Sequence, residues 1–276
     1  MEKVSIVKAE INLKESILEA VKLIGGFENF IKRGEVVLLK PNLNTADPFP
    51  ASSDPIFLKA VVELVYDFGA KLVIIGDSST MSLNTRKVME ELKIFELEKM
   101  KNPPRIYIFD EARWLKKIIP QGKYLKSVQI TEFLDRVDKL ILLPNLKTHA
   151  YAQFTGSLKL GVGFLKPLER VGLHLKNLQE KVAELNTLFN PNLIIMDARK
   201  CFIKGGPAEG EVGQPGLILA SGDRIAIDVE GIKIIQKFEG NSLAGINPWN
   251  LPQIKRAVEL HLGVKSKEDY QVISGI

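Results

Sequence analysis

The chain has 276 residues, 45% apolar and 26% charged, with a net charge of +5, the make-up of an ordinary soluble globule with a sizeable core. Acids are mixed with bases over most of its length, which argues against a dedicated nucleic-acid surface. No apolar run approaches the roughly 20 residues of a membrane helix, and the opening Met1-Glu2-Lys3-Val4 lacks a secretory apolar stretch, so no membrane partner is expected and the expected location is cytoplasmic.

Val4 to Val7 reads as a first short strand, and Lys14 to Ile24 as a helix stopped by Gly25-Gly26. Val36 to Leu39 is the first of four apolar tetrads that end abruptly on polar clusters; the others are Leu72 to Ile75, Leu140 to Leu143 and Leu193 to Met196. Runs of this kind, alternating with helical spacing, predict buried strands of a parallel sheet. Asp54-Pro55 predicts an N-cap and a first helical proline for a helix through Phe68 that Gly69 ends. The loop before it, Asn42 to Ser53, is long enough to be functional. Residues 82–100 read as helix, Arg105 to Phe109 as a strand, and 112–137 as an irregular excursion. Glycines and Pro167 forbid a long element over 150–170. Leu173 to Phe189 reads as helix, with Leu175, Leu178, Val182 and Leu185 on one stripe. Leu217 to Ala220 reads as a strand, and Asp223 as the cap of a helix from about Ile225 to Lys237. A last helix near Leu251 to Leu262 and a strand near Tyr270 to Ser274 follow. The expected fold is α/β, a mostly parallel open sheet with helices on both faces. The expected organisation is one domain over 1–276 with an irregular Gly-rich insertion at about 150–173.

All parallel strands end at one edge, where ligands of open α/β sheets bind, so the polar tips should share a pocket. Lys40 and Asn42 place a cation and an amide at one strand exit, suited to a phosphate or carboxylate, or to satisfying the turn itself. Asp77 and Ser78 stand at the next, as cap or ligand. Asn145, Lys147 and His149 follow the third; a lysine beside an imidazole favours its neutral form near pH 7, which suits general acid/base work. His174 is its candidate partner or orienter, at the start of a helix where the dipole favours the same form. Thr155, Gly156 and Lys159 have the ingredients of an anion cradle, although the segment is neither a P-loop nor a dinucleotide fingerprint. Gly205 and Gly206 form a turn able to approach a ligand closely, and Asp197 follows the fourth tetrad. Asp228 is an odd charge among apolar neighbours. Asp77, Asp197, Asp223 and Asp228 with His149 and His174 make a divalent metal possible, although their spacing matches no ligand signature. The bases Lys147, Lys159, Lys166, Arg170, Lys176, Arg199, Lys200 and Lys204 outweigh acids after Asn145, so an anionic small molecule is the expected partner. The single cysteine, Cys201, rules out a disulfide framework, a four-thiolate zinc site and an iron–sulfur cluster of the chain's own.

In order, Lys-Pro-Asn-Leu at 40–43, Ser-Asp-Pro at 53–55, Gly-Asp-Ser at 76–78 and Leu-Pro-Asn-Leu-Lys-Thr-His at 143–149 are followed by Thr-Gly-Ser-Leu-Lys at 155–159. His174, Gly-Gly-Pro at 205–207 and Ala-Ser-Gly-Asp-Arg-Ile-Ala-Ile-Asp at 220–228 complete the series. Together they resemble the domain of unknown function 362 family over nearly the whole chain. Many members of that family are described as iron–sulfur proteins through an attached ferredoxin-like segment, which this chain lacks. Leu160 also departs from the asparagine usual after the lysine. More loosely, the strand-exit layout is similar to the N-terminal domain of the nickel-pincer lactate racemase family, which implies proton transfer at a carbon next to a carboxylate.

These readings lead first to an enzyme that holds an anionic metabolite with Lys40, Lys147, Lys159 and the Gly-rich loops, His149 transferring the proton. The alternatives are a non-catalytic binding or electron-transfer accessory protein with a separate ferredoxin-like partner, and racemase- or epimerase-like proton transfer.

Overall fold

The structure, a computed structural model, describes residues 1–275. Its first half contains β1 (Glu2–Lys8), α1 (Leu13–Leu23), β2 (Val36–Lys40), α2 (Pro55–Asp67), β3 (Leu72–Asp77), α3 (Thr85–Glu91), β4 (Arg105–Ile108), β5 (Trp114–Ile118), β6 (Ser127–Thr131) and β7 (Lys139–Leu142). There follow β8 (Asn145–His149), β9 (Gln153–Thr155), α4 (Ser157–Leu160), α5 (Glu169–Leu175), α6 (Leu178–Leu185) and β10 (Leu193–Gly205). The chain then forms β11 (Gly210–Gly213), β12 (Leu217–Ser221), α7 (Arg224–Ile235), α8 (Pro252–Glu259) and β13 (Tyr270–Gly275).

The four apolar tetrads are neighbours in the middle of one sheet of order β13-β1-β12-β10-β7-β2-β3-β4, and the run from β10 to β4 is parallel throughout. The alternation of side chains along a strand splits each tetrad between two cores. Val37, Leu39, Val73, Ile75, Ile141 and Ile195 face the side covered by α1 and α2. Leu38, Ile74, Leu140, Leu142, Ile194 and Met196 face the side covered by α4, α6, α7 and α8. The fold is α/β with a mostly parallel sheet and helices on both faces.

Both proposed caps are present. Asp54 accepts the backbone N–H of Ile56, ahead of Pro55 at the start of α2, and Asp223 accepts those of Ile225 and Ala226 at the start of α7. Elsewhere the elements differ from expectation. The helix expected over 82–100 breaks at Lys93, and that over 173–189 at Asn177, each residue in the left-handed region (φ 58° and 55°). Leu175, expected on a buried stripe, is exposed while Leu178, Val182 and Leu185 are buried. Residues 112–137 contain the β5–β6 hairpin. β12 is antiparallel to both neighbours, because a short hairpin link reverses the chain after β10, whereas a parallel neighbour needs a crossover.

Three further features place the site. β10 is 13 residues long and outruns the sheet. Its far half pairs with β8 on one side and with β11 on the other, and β9 folds back on β8. The segment after the third tetrad is therefore a strand, although its residues Asn-Leu-Lys-Thr-His are mostly polar. No helix among the described residues is long and apolar enough to cross a membrane.

Candidate functional site

A pocket of about 560 Å³ opens at the carboxyl ends of β2 and β3, walled by β8, β9, α4 and α5. Of the residues singled out from the sequence, Lys40, Asn42, Asp77, Ser78, Lys147, His149, Thr155, Lys159 and His174 line it.

At its base lies an ion pair. Lys40, the last residue of β2, places Nζ 2.6 Å from Asp77 Oδ1 at the end of β3, with the two side chains 1% and 2% exposed. Lys40 also donates to the carbonyl of Pro41, and Asp77 accepts the backbone N–H groups of Ser78 and Leu43. Burial lowers the Lys40 ammonium from its ordinary range, and Asp77 pulls it back. Gly163 covers the pair so closely that a Cβ there would lie 2.5 Å from Asp77 Oδ1 and 2.6 Å from Lys40 Nζ. Only glycine fits.

The other cations of the lining form no ion pair among the described residues, although Asp77 and Asp110 act on Arg170 and Asp47 on Lys147. Lys147 reaches from β8 to the carbonyls of Ala51 (2.5 Å) and Pro207 (3.0 Å). Its burial, then the charge of Lys159, lowers it to about 7. Lys159, in α4, makes neither hydrogen bond nor ion pair among the described residues; burial, then Arg170, lowers it to about 8. Arg170 anchors α5 by donating to the carbonyls of Ser79 (2.5 Å) and Leu165 (3.0 Å). Among the described residues its Nε and the hydroxyl of Thr155 are buried without partners. The lining thus holds four cations against one carboxylate.

The two histidines have opposite tautomers. His149 Nδ1 accepts the backbone N–H groups of Tyr151 (3.1 Å) and Ala152 (3.2 Å). The neutral ring therefore carries its proton on Nε2, and a second proton would face two donors. Burial first, then Lys159 and Lys147, lowers this imidazole to about 2, so it stays neutral at any ordinary pH. His174 lies 2.7 Å through Nδ1 from the carbonyl of Arg170. A carbonyl only accepts, so Nδ1 donates and Nε2 keeps a free lone pair. Burial and the neighbouring cations lower this ring as well. His149 is built to donate and His174 to accept.

The remaining candidates lie outside the lining, and their contacts give each a structural task. Asn145 donates from Nδ2 to Pro50 O (2.9 Å), tying the 42–53 loop to β8. Asp197 holds Arg199, which also reaches Asp54. Asp228, pushed up to about 7 by burial, accepts from Ser157 N (2.6 Å) and Leu158 N (3.1 Å), joining α7 to the start of α4. A Cβ on Gly156 would lie 2.3 Å from Asp228 Oδ1, and one on Gly206 2.2 Å from Thr148 O. Gly205 and Gly206 have positive φ (86° and 75°) and turn β10 toward β11. Among the described residues no three His, Cys, Asp or Glu side chains converge. A divalent ion held by Asp77, Asp197, Asp223, Asp228, His149 and His174 does not fit, because the last three aspartates are spent on Arg199 and on helix starts. Sequence reasoning missed the site role of Arg170, whose signal was a base within a Gly-rich stretch. It also missed the apolar lining residues Met81, Tyr151, Val162, Val171 and Leu175, for which the sequence carries no signal.

The thylakoid-associated protein sll1697 of Synechocystis sp. is 28% identical over 233 residues, which cover 82% of this chain and 70% of that protein. Among solved structures, the lactate racemase apoprotein from Thermoanaerobacterium thermosaccharolyticum is similar at a TM-score of 0.47 and 11% identity. The match covers 83% of this chain but 57% of that one. The model of the family described as domain of unknown function (DUF362) matches residues 37–233, so the chain belongs to that family.

Proposed function

We propose that this chain is an enzyme that binds a small anionic metabolite, a phosphate or carboxylate, at the carboxyl rim of its sheet and moves a proton on it. The observation that carries this reading is the charge of the lining: four cations face one carboxylate, that carboxylate is taken by Lys40, and Lys159 has no partner among the described residues. A bound anion would supply the missing charge, and the unpartnered Nε of Arg170 and hydroxyl of Thr155 add two donors for it. Proton movement is then divided between the rings. His174 Nε2 takes the proton, and His149 Nε2–H with the Lys147 ammonium stabilises the negative charge left behind.

The test has two parts. Sulfate and inorganic phosphate raise the melting temperature of the wild type, and Lys159→Gln removes most of that rise. For carboxylate metabolites that bind, the C–H next to the carboxylate exchanges with solvent deuterium in the wild type and in Lys166→Gln, and exchange is lost in His174→Asn. No thermal shift with any anion refutes the binding half, and exchange surviving in His174→Asn refutes the assignment of the base. The cytoplasm is the location that goes with this reading. A relative whose name says thylakoid-associated makes cell fractionation its check.

A further inference from the structure

The cationic base of the pocket opens through an apolar mouth. Among the described residues twelve large apolar side chains are exposed, and four of them, Met81, Tyr151, Val171 and Leu175, line this one pocket. Their exposures are 52%, 80%, 44% and 76%. Two more, Leu83 and Leu168, sit on the same two segments. Leu168, Val171 and Leu175 have helical i, i+3, i+7 spacing, so one stripe running onto α5 is apolar and in water. That helix is held from beneath by Arg170 through the carbonyls of Ser79 and Leu165. The stripe stays exposed although its own helix is anchored by a buried arginine. Deeper in the wall, Leu160 and Val162 continue the apolar surface toward Lys159. A ligand consisting only of a small anion would meet the cations and leave the mouth unused.

We propose that the ligand of this pocket is an amphiphile, a phosphate or carboxylate head against Lys147, Lys159 and Arg170 joined to an apolar body that covers Leu160 in the wall and Val171 and Leu175 at the mouth. This rests on the anion-binding reading above. The volume of about 560 Å³ is within the range of sites that enclose most of a drug-sized molecule. Water released from the apolar mouth adds affinity in proportion to the area covered.

Isothermal titration calorimetry with inorganic phosphate and with monoalkyl phosphates from ethyl to octyl, below their micelle concentrations, tests it. Each methylene that enters the mouth should tighten binding about two- to fourfold. The double substitution Val171→Ser with Leu175→Ser lies on exposed positions and so spares the core. It should weaken octyl phosphate at least fivefold more than ethyl phosphate. Equal affinity for inorganic, ethyl and octyl phosphate overturns the amphiphile and leaves the anion site standing. Absence of binding by every phosphate, the inorganic ion included, overturns both. Octanol binding as tightly as octyl phosphate overturns the charged head. Capture by vesicles of phosphatidylcholine and phosphatidylglycerol that octyl phosphate does not displace overturns the small-molecule ligand in favour of a membrane surface.

Discussion

Replacing Asp77 by asparagine removes one charge and almost no volume, so its cost measures the buried ion pair. Lys40 Nζ and Asp77 Oδ1 are 2.6 Å apart, an attraction of about 6 kcal/mol at the effective dielectric of 20 that suits such sites. The variant does not lose all of this, because the stranded ammonium can shed its proton. Keeping Lys40 neutral at pH 7, against its ordinary value of 10.5, costs about 5 kcal/mol, which caps the damage. Asparagine retains one acceptor oxygen for the N–H groups of Ser78 and Leu43 that Asp77 now accepts. The expected destabilisation at pH 7 is therefore about 3–5 kcal/mol, a fall in melting temperature of roughly 10 °C.

The cap also predicts a pH dependence. In the folded variant Lys40 is neutral, and in the unfolded chain it is protonated below 10.5. The unfolded state binds the extra proton, so the stability of the variant rises with pH, by up to about 1.4 kcal/mol per unit. Urea denaturation followed by circular dichroism at pH 7, 8.5 and 9.5 measures both quantities. A deficit under about 1 kcal/mol at pH 7, or one that does not narrow with pH, refutes the buried pair as described.

Gly163→Ala brings a methyl group within 2.6 Å of both members of the same pair; it should cost about 1–3 kcal/mol by urea denaturation and reduce the rise in melting temperature that sulfate gives. Lys147 and Lys159 lie near 7 and 8 instead of 10.5, so the unfolded chain binds more protons between about pH 7 and 10.5, and ligand-free stability gains from these two groups as pH rises. The stabilisation by sulfate, whose charge is fixed over this range, should move the opposite way, shrinking through pH 7 to 8 as both ammoniums discharge; melts with and without sulfate that keep a constant gap refute this. Glu184, fully buried in α6, accepts the N–H groups of Lys123, Tyr124 and Leu125 and two contacts from Arg256. Glu184→Gln leaves Arg256 only Glu259 and the carbonyl of Gln121 and turns an amide NH2 toward backbone donors; it should cost about 1–3 kcal/mol by urea denaturation, with no change in sulfate affinity.

The middle of the sheet is legible in the sequence because fully buried parallel strands must be apolar on both faces, and each tetrad has that pattern before its polar tip. Asp54 and Asp223 are legible for a local reason: a carboxylate before an apolar helical run satisfies N–H groups that lack partners within the helix. β8 is not legible. Its Asn145, Lys147, Thr148 and His149 are all buried, and what permits this is distant in the chain: the overlong β10 supplies the ladder, and Pro50, Ala51, Gly205 and Pro207 supply carbonyls. The break at Lys93 is equally hidden, since lysine does not mark a left-handed turn, whereas Asn177 carries a weak signal because asparagine tolerates that region.

The histidines show the same division at finer scale. That His149 stands among lysines and favours its neutral form can be read from Lys147 two residues away. Which ring nitrogen faces the ligand cannot, because the N–H groups that occupy Nδ1 depend on how the chain turns from β8 into β9. That turn converts the residue from a candidate base to a donor, and in the proposed reaction the base falls to His174, whose Nδ1 is taken by its own helix. Substitution separates the two roles. His149→Gln keeps a donor and should retain binding of the anion with reduced turnover. His174→Gln offers no group that takes a proton near neutral pH and should abolish exchange. Loss of exchange in His149→Gln with retention in His174→Gln would reverse the assignment and show that the backbone contacts of His149 give way when ligand binds.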